Sequence, residues 1–312
     1  MKESIRTRLL LVRHKTTYSY NLPVKRSSHV LHLKPIHDPR QSVLSHKLTI
    51  TPSVPIIEYE DVFGNQAARF EVNTAYSNLT VLAESLVELL DTDPFAFANL
   101  PVRATFPLVW MPWEQKMLGP YLQPMELPDT QLREILNYAL SFVERNNRDL
   151  METLFAINLA LFREYKYLPS CTTLETTPYE VMVHKRGVCQ DFANLFICMA
   201  RLLGIPARYV CGYIHTGNCG DQRAQSDATH AWLQLYIPNV GWKGFDPTNG
   251  VLPHTDHVRV AYGRHYRDTT PTSGTLYSPA DETMNIDVEV RELETREREK
   301  EDAPEGATLA IV

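Results

Sequence analysis

The sequence predicts an α+β protein in two parts: a β-sandwich-like N-terminal domain and a core of helices packed on an antiparallel sheet. Residues 1–105 carry short segments rich in β-branched and aromatic side chains. Helical spacing of apolar residues begins after Pro128, and strand-like segments return after Pro206. This order of strands, helices and strands is typical of the α+β class.

The front region is predicted to consist of short strands separated by prolines. The strand candidates cover residues 9–20, 30–33, 43–50 and 56–62. The stretch EYEDVFGNQAARFEV predicts a hairpin around Gly64 and Asn65, because both residue types tolerate a positive φ. The regular spacing of these segments favours a sandwich or a small barrel. Residues 106–127 are rich in proline, and we expect them to form a connection rather than a helix or strand.

Residues 128–290 are predicted to form the core. One helix follows a cap at Asp129 or Thr130, and a second carries Leu154, Ile157 and Leu161 on one face. Further candidates are helices at 179–184 and 189–203 and strands at 207–215, 231–237, 242–245 and 284–290. Residues 291–312 are highly charged, and we expect a solvated helix or a disordered tail.

Composition excludes several classes of function. The 312 residues include 31 Lys and Arg against 37 Asp and Glu, a net charge of −6. A basic surplus that would attract nucleic acid is therefore absent. No apolar run has the length needed to cross a bilayer, and the N-terminus lacks the pattern of a signal peptide. We accordingly expect a cytoplasmic protein that binds neither nucleic acid nor membrane.

The cysteines are expected to be free thiols, since a reducing cytoplasm disfavours disulfides. They are Cys171, Cys189, Cys198, Cys211 and Cys219. Their number is odd and no CxxC pair occurs, so one of them is a candidate for a chemical role.

Cys189 is the strongest candidate because it is predicted to begin the apolar helix. The positive end of a helix dipole favours the thiolate, which is the nucleophilic form. Gly187 lacks a Cβ, so we expect a substrate to approach closely there. Asp191 is expected to stabilise the helix start, and Cys198 to fill the core. The alternative for Cys189 is a buried structural thiol.

His230 and Asp246 are the candidates for a base and for the acid that orients it. The segment SDATHAWLQLYI places His230 at a strand start, and GWKGFDPTNG places Asp246 at the end of the next strand. Neighbouring antiparallel strands can bring two such side chains together. The order of nucleophile, base and orienting acid predicts a triad. The alternatives are a hydrogen-bonded strand histidine and a turn-forming aspartate.

Four segments, GVCQDFA, LGIPARYVCGY, HAWLQLYIP and GWKGFDPTN, resemble the core of the transglutaminase-like cysteine enzymes. The likeness extends over about residues 128–265. The front half also resembles the N-terminal region that accompanies this core in a bacterial subgroup. The resemblance implies a papain-like α+β core with a catalytic triad of Cys189, His230 and Asp246. It also implies acyl transfer at an amide bond, as glutamine transamidation or as hydrolysis of peptide or isopeptide bonds.

The chemistry implied by the resemblance proceeds through a thioester on Cys189 and needs neither metal nor cofactor. The backbone N–H of Cys189 is the expected oxyanion donor, with no second donor assigned. Trp232, Tyr213 and Gln190 are the candidates for substrate binding, with core filling as the alternative for the two aromatic residues. For His254 and His257, two solvated loop histidines are favoured over a zinc site.

Three hypotheses of function follow from these residues. The first is a cysteine protease or amidohydrolase acting on a protein or peptide, with glutamine crosslinking as the alternative outcome at the thioester. The second is a peptide-binding module without catalysis. The third assigns substrate docking to the front region. The sequence leaves the physiological substrate and the oligomeric state open.

Overall fold

The computed structural model describes residues 4–96, 103–169, 171–217 and 229–299, and Cys219 lies outside these ranges. The strands are β1 (Ser4–Val24), β2 (Ser27–Leu31), β3 (Gln41–Thr51), β4 (Ile56–Glu60), β5 (Gln66–Val72), β6 (Tyr76–Leu90), β7 (Lys166–Tyr167), β8 (Arg186–Gly187), β9 (Ala207–Ile214), β10 (His230–Ile237), β11 (Gly241–Phe245), β12 (His257–Gly263), β13 (Thr272–Leu276) and β14 (Glu282–Glu299). The helices are α1 (Pro112–Leu122), α2 (Asp129–Arg145), α3 (Leu150–Glu164), α4 (Pro178–His184) and α5 (Cys189–Leu202). These elements confirm the predicted α+β class.

The front region is built from two four-stranded antiparallel sheets, in the orders β14-β1-β6-β3 and β13-β2-β5-β4. Apolar side chains from both sheets form one buried cluster that includes Val24, Phe70, Val72, Leu79 and Val81. The predicted hairpin is present: β4 pairs with β5, and Gly64 in the turn has a φ of 81°. The sandwich-like N-terminal domain predicted from the sequence is therefore confirmed.

The end of the chain differs from the prediction. β14 pairs with β1 from Tyr20↔Glu282 to Ser4↔Glu299, and β13 pairs with β2. The front sheets thus contain both of these strands, so a core reaching residue 290 and a solvated or disordered tail over 291–299 are wrong. Charged residues are tolerated in this strand because β14 is an edge strand, and Glu289, Arg291 and Glu292 are exposed to solvent. Residues 300–312 lie outside the described ranges.

The segment 106–127 also differs, because it contains helix α1. Pro112 occupies the first turn, where a backbone N–H has no partner within a helix anyway. Pro120 falls in the last turn, and Leu118 is the residue that α1 buries. The number of prolines did not predict this helix, because the position of a proline relative to the helix ends decides whether it disrupts the helix.

The core consists of a four-stranded antiparallel sheet, in the order β11-β10-β9-β12, covered on one face by helices. α5 packs directly on β9 and β10 and is buried along most of its length. The strand β12 was not predicted. Within the described ranges, no helix is both long and apolar enough to span a bilayer.

The opposite face of the core sheet packs against the front region. Leu10, Val12 and Leu89 of the front sheet share a buried cluster with Val258 and Val260 of β12. The core sheet is therefore enclosed by helices on one face and by the front domain on the other. The candidate site lies at the end of this sheet where α5 begins.

Candidate active site

Cys189 is the first residue of α5 and is partly exposed. The backbone N–H of Val188, which precedes it, donates to Asp191 Oδ2 at 2.8 Å. The Thr172 hydroxyl donates to the same carboxylate oxygen at 2.7 Å. Asp191 thus stabilises the helix start, as the sequence predicts, and fixes the backbone that carries the Cys189 thiol.

Gly187 has a different role from the one expected. A Cβ at this position would lie 2.8 Å from Asp191 Cβ and 2.9 Å from its Oδ2. The space that glycine leaves is therefore filled by Asp191 rather than by an approaching substrate. The missing side chain lets the carboxylate fold back onto the helix start.

His230 is the first residue of β10 and is fully buried, with Nε2 at 2.8 Å from Asp246 Oδ2. Cys189 lies within interaction range of the imidazole and favours its protonated form. His230 Nδ1 has no partner in hydrogen-bond geometry among the described residues. Because Nε2 is hydrogen-bonded to Asp246, Nδ1 is the ring nitrogen that remains available to the Cys189 thiol.

Asp246 is a fully buried acceptor immediately after β11. Its Oδ1 accepts from the backbone N–H of Thr248 at 3.0 Å and of Asn249 at 3.3 Å. Its Oδ2 accepts from Asn249 Nδ2 at 2.6 Å in addition to His230. Both interpretations of this residue therefore apply: Asp246 forms a turn and also fixes the imidazole.

The charges of His230 and Asp246 stabilise one another. Burial alone would lower the pKa of His230, but the Asp246 carboxylate and Cys189 raise it to about 10. Burial alone would likewise raise the pKa of Asp246, but the charge and hydrogen bond of His230 hold it well below its usual range. At neutral pH the pair is thus an imidazolium beside a carboxylate.

His257 completes the network and contradicts the expectation of a solvated loop histidine. It begins β12 and is buried, with Nε2 at 3.0 Å from Asp246 Oδ2 and Nδ1 at 2.6 Å from Asp256 Oδ1. His254 remains partly exposed and bonds the carbonyl of Thr92. Recognising that His257 begins a strand beside His230 would have been the signal for this contact.

The ligand atoms of His230, Asp246 and His257 lie within 4.8 Å of one another, which is compatible in principle with a metal site. The arrangement has the lengths of hydrogen bonds, however, because one oxygen of Asp246 lies 2.8 and 3.0 Å from the two Nε2 atoms. Two ligand atoms that bind one tetrahedral zinc ion at about 2.0–2.1 Å would lie roughly 3.3 Å apart, farther than these two distances. The geometry therefore favours a hydrogen-bonded network with Asp246 at its centre.

The three substrate-binding candidates occupy different places. Gln190 lines a groove of about 780 Å³ between the core and the front sheet, as does Thr229, the neighbour of His230. Tyr213 is 1% exposed, and its hydroxyl bonds His14 Nδ1 at 2.9 Å beneath the front sheet. Trp232 is fully buried and stacks on His230. The expectation that Tyr213 and Trp232 contact substrate is wrong, because both fill the interior.

Tyr167 is a further residue at the site that sequence reasoning missed. It pairs with Gly187 through the short parallel ladder of β7 and β8, which brings it beside the start of α5. Burial, and next the nearby Cys189, raise the pKa of its hydroxyl. A strand of two residues leaves no periodic pattern, so this neighbour could not be found from spacing.

Comparisons with known proteins match two regions of this chain to described families. The family described as the bacterial transglutaminase-like N-terminal region matches residues 10–88, and the transglutaminase-like superfamily matches residues 137–247. An uncharacterized protein of Mycobacterium tuberculosis is 31% identical over 297 residues, which cover 89% of this chain and 90% of that protein.

Two further similarities concern named proteins. A segment of 73 residues is 37% identical to a protein-glutamine gamma-glutamyltransferase of Pseudomonas aeruginosa, covering 22% of this chain and 11% of that protein. A crystal structure titled "Putative Cysteine Protease" from Cytophaga hutchinsonii has a TM-score of 0.70 at 22% identity. It covers 94% of this chain and 92% of that chain, and it shows the same fold.

Proposed function

Because the chain belongs to the transglutaminase-like superfamily, we propose that it is a cysteine-dependent hydrolase that cleaves amide bonds of a protein or peptide. The observation that carries this proposal is the buried His230–Asp246 pair beside Cys189 at a helix start. This arrangement supplies a nucleophile, a proton donor and an orienting acid. The groove adjoins both reacting side chains, because it is lined by Gln190, which follows Cys189, and by Thr229, which precedes His230.

The reaction begins with the Cys189 thiolate, which attacks the amide carbonyl carbon. The carbonyl oxygen becomes an oxyanion, and the C–N bond breaks as His230 Nδ1 donates its proton to the departing amine. The product is a thioester on Cys189. Neutral His230 then removes a proton from water as that water attacks the thioester, which releases the carboxylic acid and restores the imidazolium beside the thiolate.

The oxyanion would be stabilised by the start of α5. Within the described part of the chain, neither the Cys189 nor the Gln190 backbone N–H has an acceptor. Both lie in the first turn of the helix, where such groups are free to bind an anion. Donors of this kind, fixed before the reaction begins, stabilise the charge that develops in the transition state.

The experiment that tests this proposal measures amide hydrolysis by the purified protein on a mixed peptide library. Cys189→Ala should abolish hydrolysis, whereas Cys198→Ala should retain it, because Cys198 is fully buried inside α5. Activity that persists in Cys189→Ala would contradict the mechanism.

The second candidate function is transfer of a glutamine acyl group to an amine, favoured by the segment shared with the Pseudomonas aeruginosa enzyme. A glutamine donor peptide and a labelled amine separate the two reactions, since they compete for one thioester. Efficient incorporation of the amine that is lost in Cys189→Ala would show that the protein catalyses transamidation rather than hydrolysis.

Iodoacetamide distinguishes an enzyme from a peptide-binding module. Burial raises the pKa of Cys198 to about 11 and that of Cys211 to about 12, so both should react slowly. Cys189 should be alkylated far faster at about pH 6, because it is partly exposed at the start of α5 beside His230, whereas the other two thiols are buried. Equal rates for all three thiols at that pH would favour the binding module.

A further inference from the structure

A second cavity, of about 310 Å³, lies behind the core sheet, away from the groove beside Cys189. We call it the rear cavity. Strands β9 to β12 and the front domain together enclose it. Its basic residues are Arg40, Arg208, Lys243 and Arg259, and its aromatic residues are Trp232, Trp242 and Tyr262. A cavity of this size accommodates a small molecule rather than a polymer.

Positive charge in the rear cavity is not balanced by the acid in its wall. Asp38 lines it, and both of its oxygens are bonded by the Arg259 guanidinium, one of them at 3.1 Å. The Asp38 Oδ1 atom also accepts from the backbone N–H groups of Arg40 and Gln41. The hydrogen bonds of this carboxylate go to Arg259 and the adjoining turn, so Asp38 acts on Arg208 through its charge and not through a hydrogen bond.

Two other acids lie near the cavity, and each faces a histidine instead. Asp91 Oδ1 lies 3.1 Å from His254 Nε2, and Asp256 Oδ1 lies 2.6 Å from His257 Nδ1. Neither of these pairs supplies a carboxylate to Arg208.

Arg208 lines the rear cavity and is held by one hydrogen bond and two aromatic rings. Its Nε donates to Gln234 Oε1 at 2.8 Å, and its guanidinium carbon lies 3.6 Å from the Tyr262 ring centroid and 4.4 Å from that of Trp242. Among the described residues, no carboxylate hydrogen-bonds this guanidinium. A planar fork of donors clamped between two rings is prearranged to bind an oxyanion.

Like charges and burial both act on these cations. Burial lowers the pKa of Arg208, and repulsion from Arg259 adds to that effect, whereas Tyr262, Tyr121 and Asp38 oppose it. Burial also lowers the pKa of Lys243, and Arg40 lowers it further. The indole N–H of Trp232, in the same wall, is buried and has no acceptor within the described ranges. A bound anion would relieve the repulsion between the cations.

We propose that the rear cavity binds a small oxyanion, of phosphate or carboxylate chemistry, through the guanidinium of Arg208 with Arg40 and Lys243 beside it. Guanidinium groups bind both kinds of oxyanion through paired, charge-assisted hydrogen bonds. The cavity shares part of its wall with the active-site network, because Trp232 and His257 line it, but none of its lining residues lines the groove beside Cys189.

The test is calorimetric titration of the whole protein with inorganic phosphate, sulfate, succinate and, at matched ionic strength, chloride. We expect saturable binding of phosphate or succinate at one site and none of chloride. Preference for phosphate and sulfate would assign a phosphate-type ligand, and preference for succinate a carboxylate. Fluorescence localises the event, since Trp242 lies against Arg208 and Trp242→Phe should reduce any change in emission.

Three variants make the test specific. Arg208→Gln should weaken binding about tenfold or more, the factor that a lost charge-assisted bond of roughly 1.4 kcal/mol gives. Arg40→Gln, at an exposed position that folding tolerates, should weaken it by a smaller factor. Arg69→Gln, on the exposed front sheet beside Glu71, should leave it unchanged. Absence of saturable binding to the wild type, or equal affinity in Arg40→Gln and Arg69→Gln, would overturn the proposal.

Discussion

At the scale of single residues, the site depends on Asp246 Oδ2, which is shared between two histidines. His230 lies at 2.8 Å and His257 at 3.0 Å from this atom. Asn249 Nδ2 also donates to this oxygen, at 2.6 Å, and several donors on one buried oxygen fix its position more firmly than one. His257 is therefore a positioning residue: it acts on His230 through Asp246.

Replacing His257 tests this arrangement. His257→Leu should lower the free energy of unfolding by about 1–3 kcal/mol, because it removes one donor from the buried Asp246 carboxylate. The matched control is His254→Leu, whose partly exposed ring should cost less. Urea denaturation of the three proteins measures the difference. Equal losses in both variants would show that the buried network adds nothing.

The pH dependence of stability follows from His230. Its pKa of about 10 in the folded protein exceeds the 6.5 of a free imidazole. The group therefore stabilises the fold fully below pH 6.5, and its contribution is lost as the pH rises toward 10. Urea denaturation across this range should show falling stability, with a shallower fall in His230→Gln. Identical slopes for the two proteins would contradict the imidazolium–carboxylate pair.

At the scale of secondary structure, the sequence predicted the elements in which apolar, buried residues recur at the regular spacing of a helix or a strand. In α3, Leu154, Ile157 and Leu161 are all fully buried, as their spacing indicates. β12 was missed although it carries His257, and β14 was missed beyond residue 290 because its residues are highly charged. Pairing with distant strands decides both structures, and a local pattern does not contain that information.

The two groups of the predicted triad that hydrogen-bond, His230 and Asp246, could be found because each lies at the end of a predicted strand. Tyr213 and Trp232 were misplaced for a related reason. Alternation along a strand tells which side chains share a face, but not which face a second domain covers. The front sheet covers the face of Tyr213, as its bond to His14 shows.

The junction between β8 and α5 gives a prediction at this scale. Gly187→Ala would place a Cβ 2.8 Å from Asp191 Cβ, so Asp191 must shift and release the Val188 N–H. We expect a loss of about 1–3 kcal/mol in stability, as overpacking typically causes. Hydrolysis should fall as well, because the start of α5 carries Cys189.

The matched control for Gly187→Ala is Gly119→Ala in α1, where nothing lies within 4 Å of the added Cβ. Alanine in a helix interior should stabilise by about 0.5–1 kcal/mol relative to glycine. Thermal and urea denaturation compare the two variants. A stable and fully active Gly187→Ala protein would show that the contact with Asp191 is dispensable.

At the scale of the whole molecule, the chain returns to its beginning. After the core sheet, β13 and β14 pair with β2 and β1 of the front sheets. Val288 of β14 also joins the cluster in which the front sheet packs on β12. The two regions are thus continuous in structure although the sequence places them one after the other, and we expect them to unfold together.

A fragment of residues 106–312 tests this continuity. It retains β13 and β14 but lacks every strand with which they pair. It also exposes Val258 and Val260, which are 0% and 2% exposed in the whole protein. Such an apolar face and two unpaired strands promote association. We therefore expect aggregation, or a poorly packed state without a cooperative unfolding transition, by size-exclusion chromatography and circular dichroism. A monomeric fragment that unfolds cooperatively would instead show that the core folds without the front domain, and unchanged hydrolysis by that fragment would argue against a docking role for the front region.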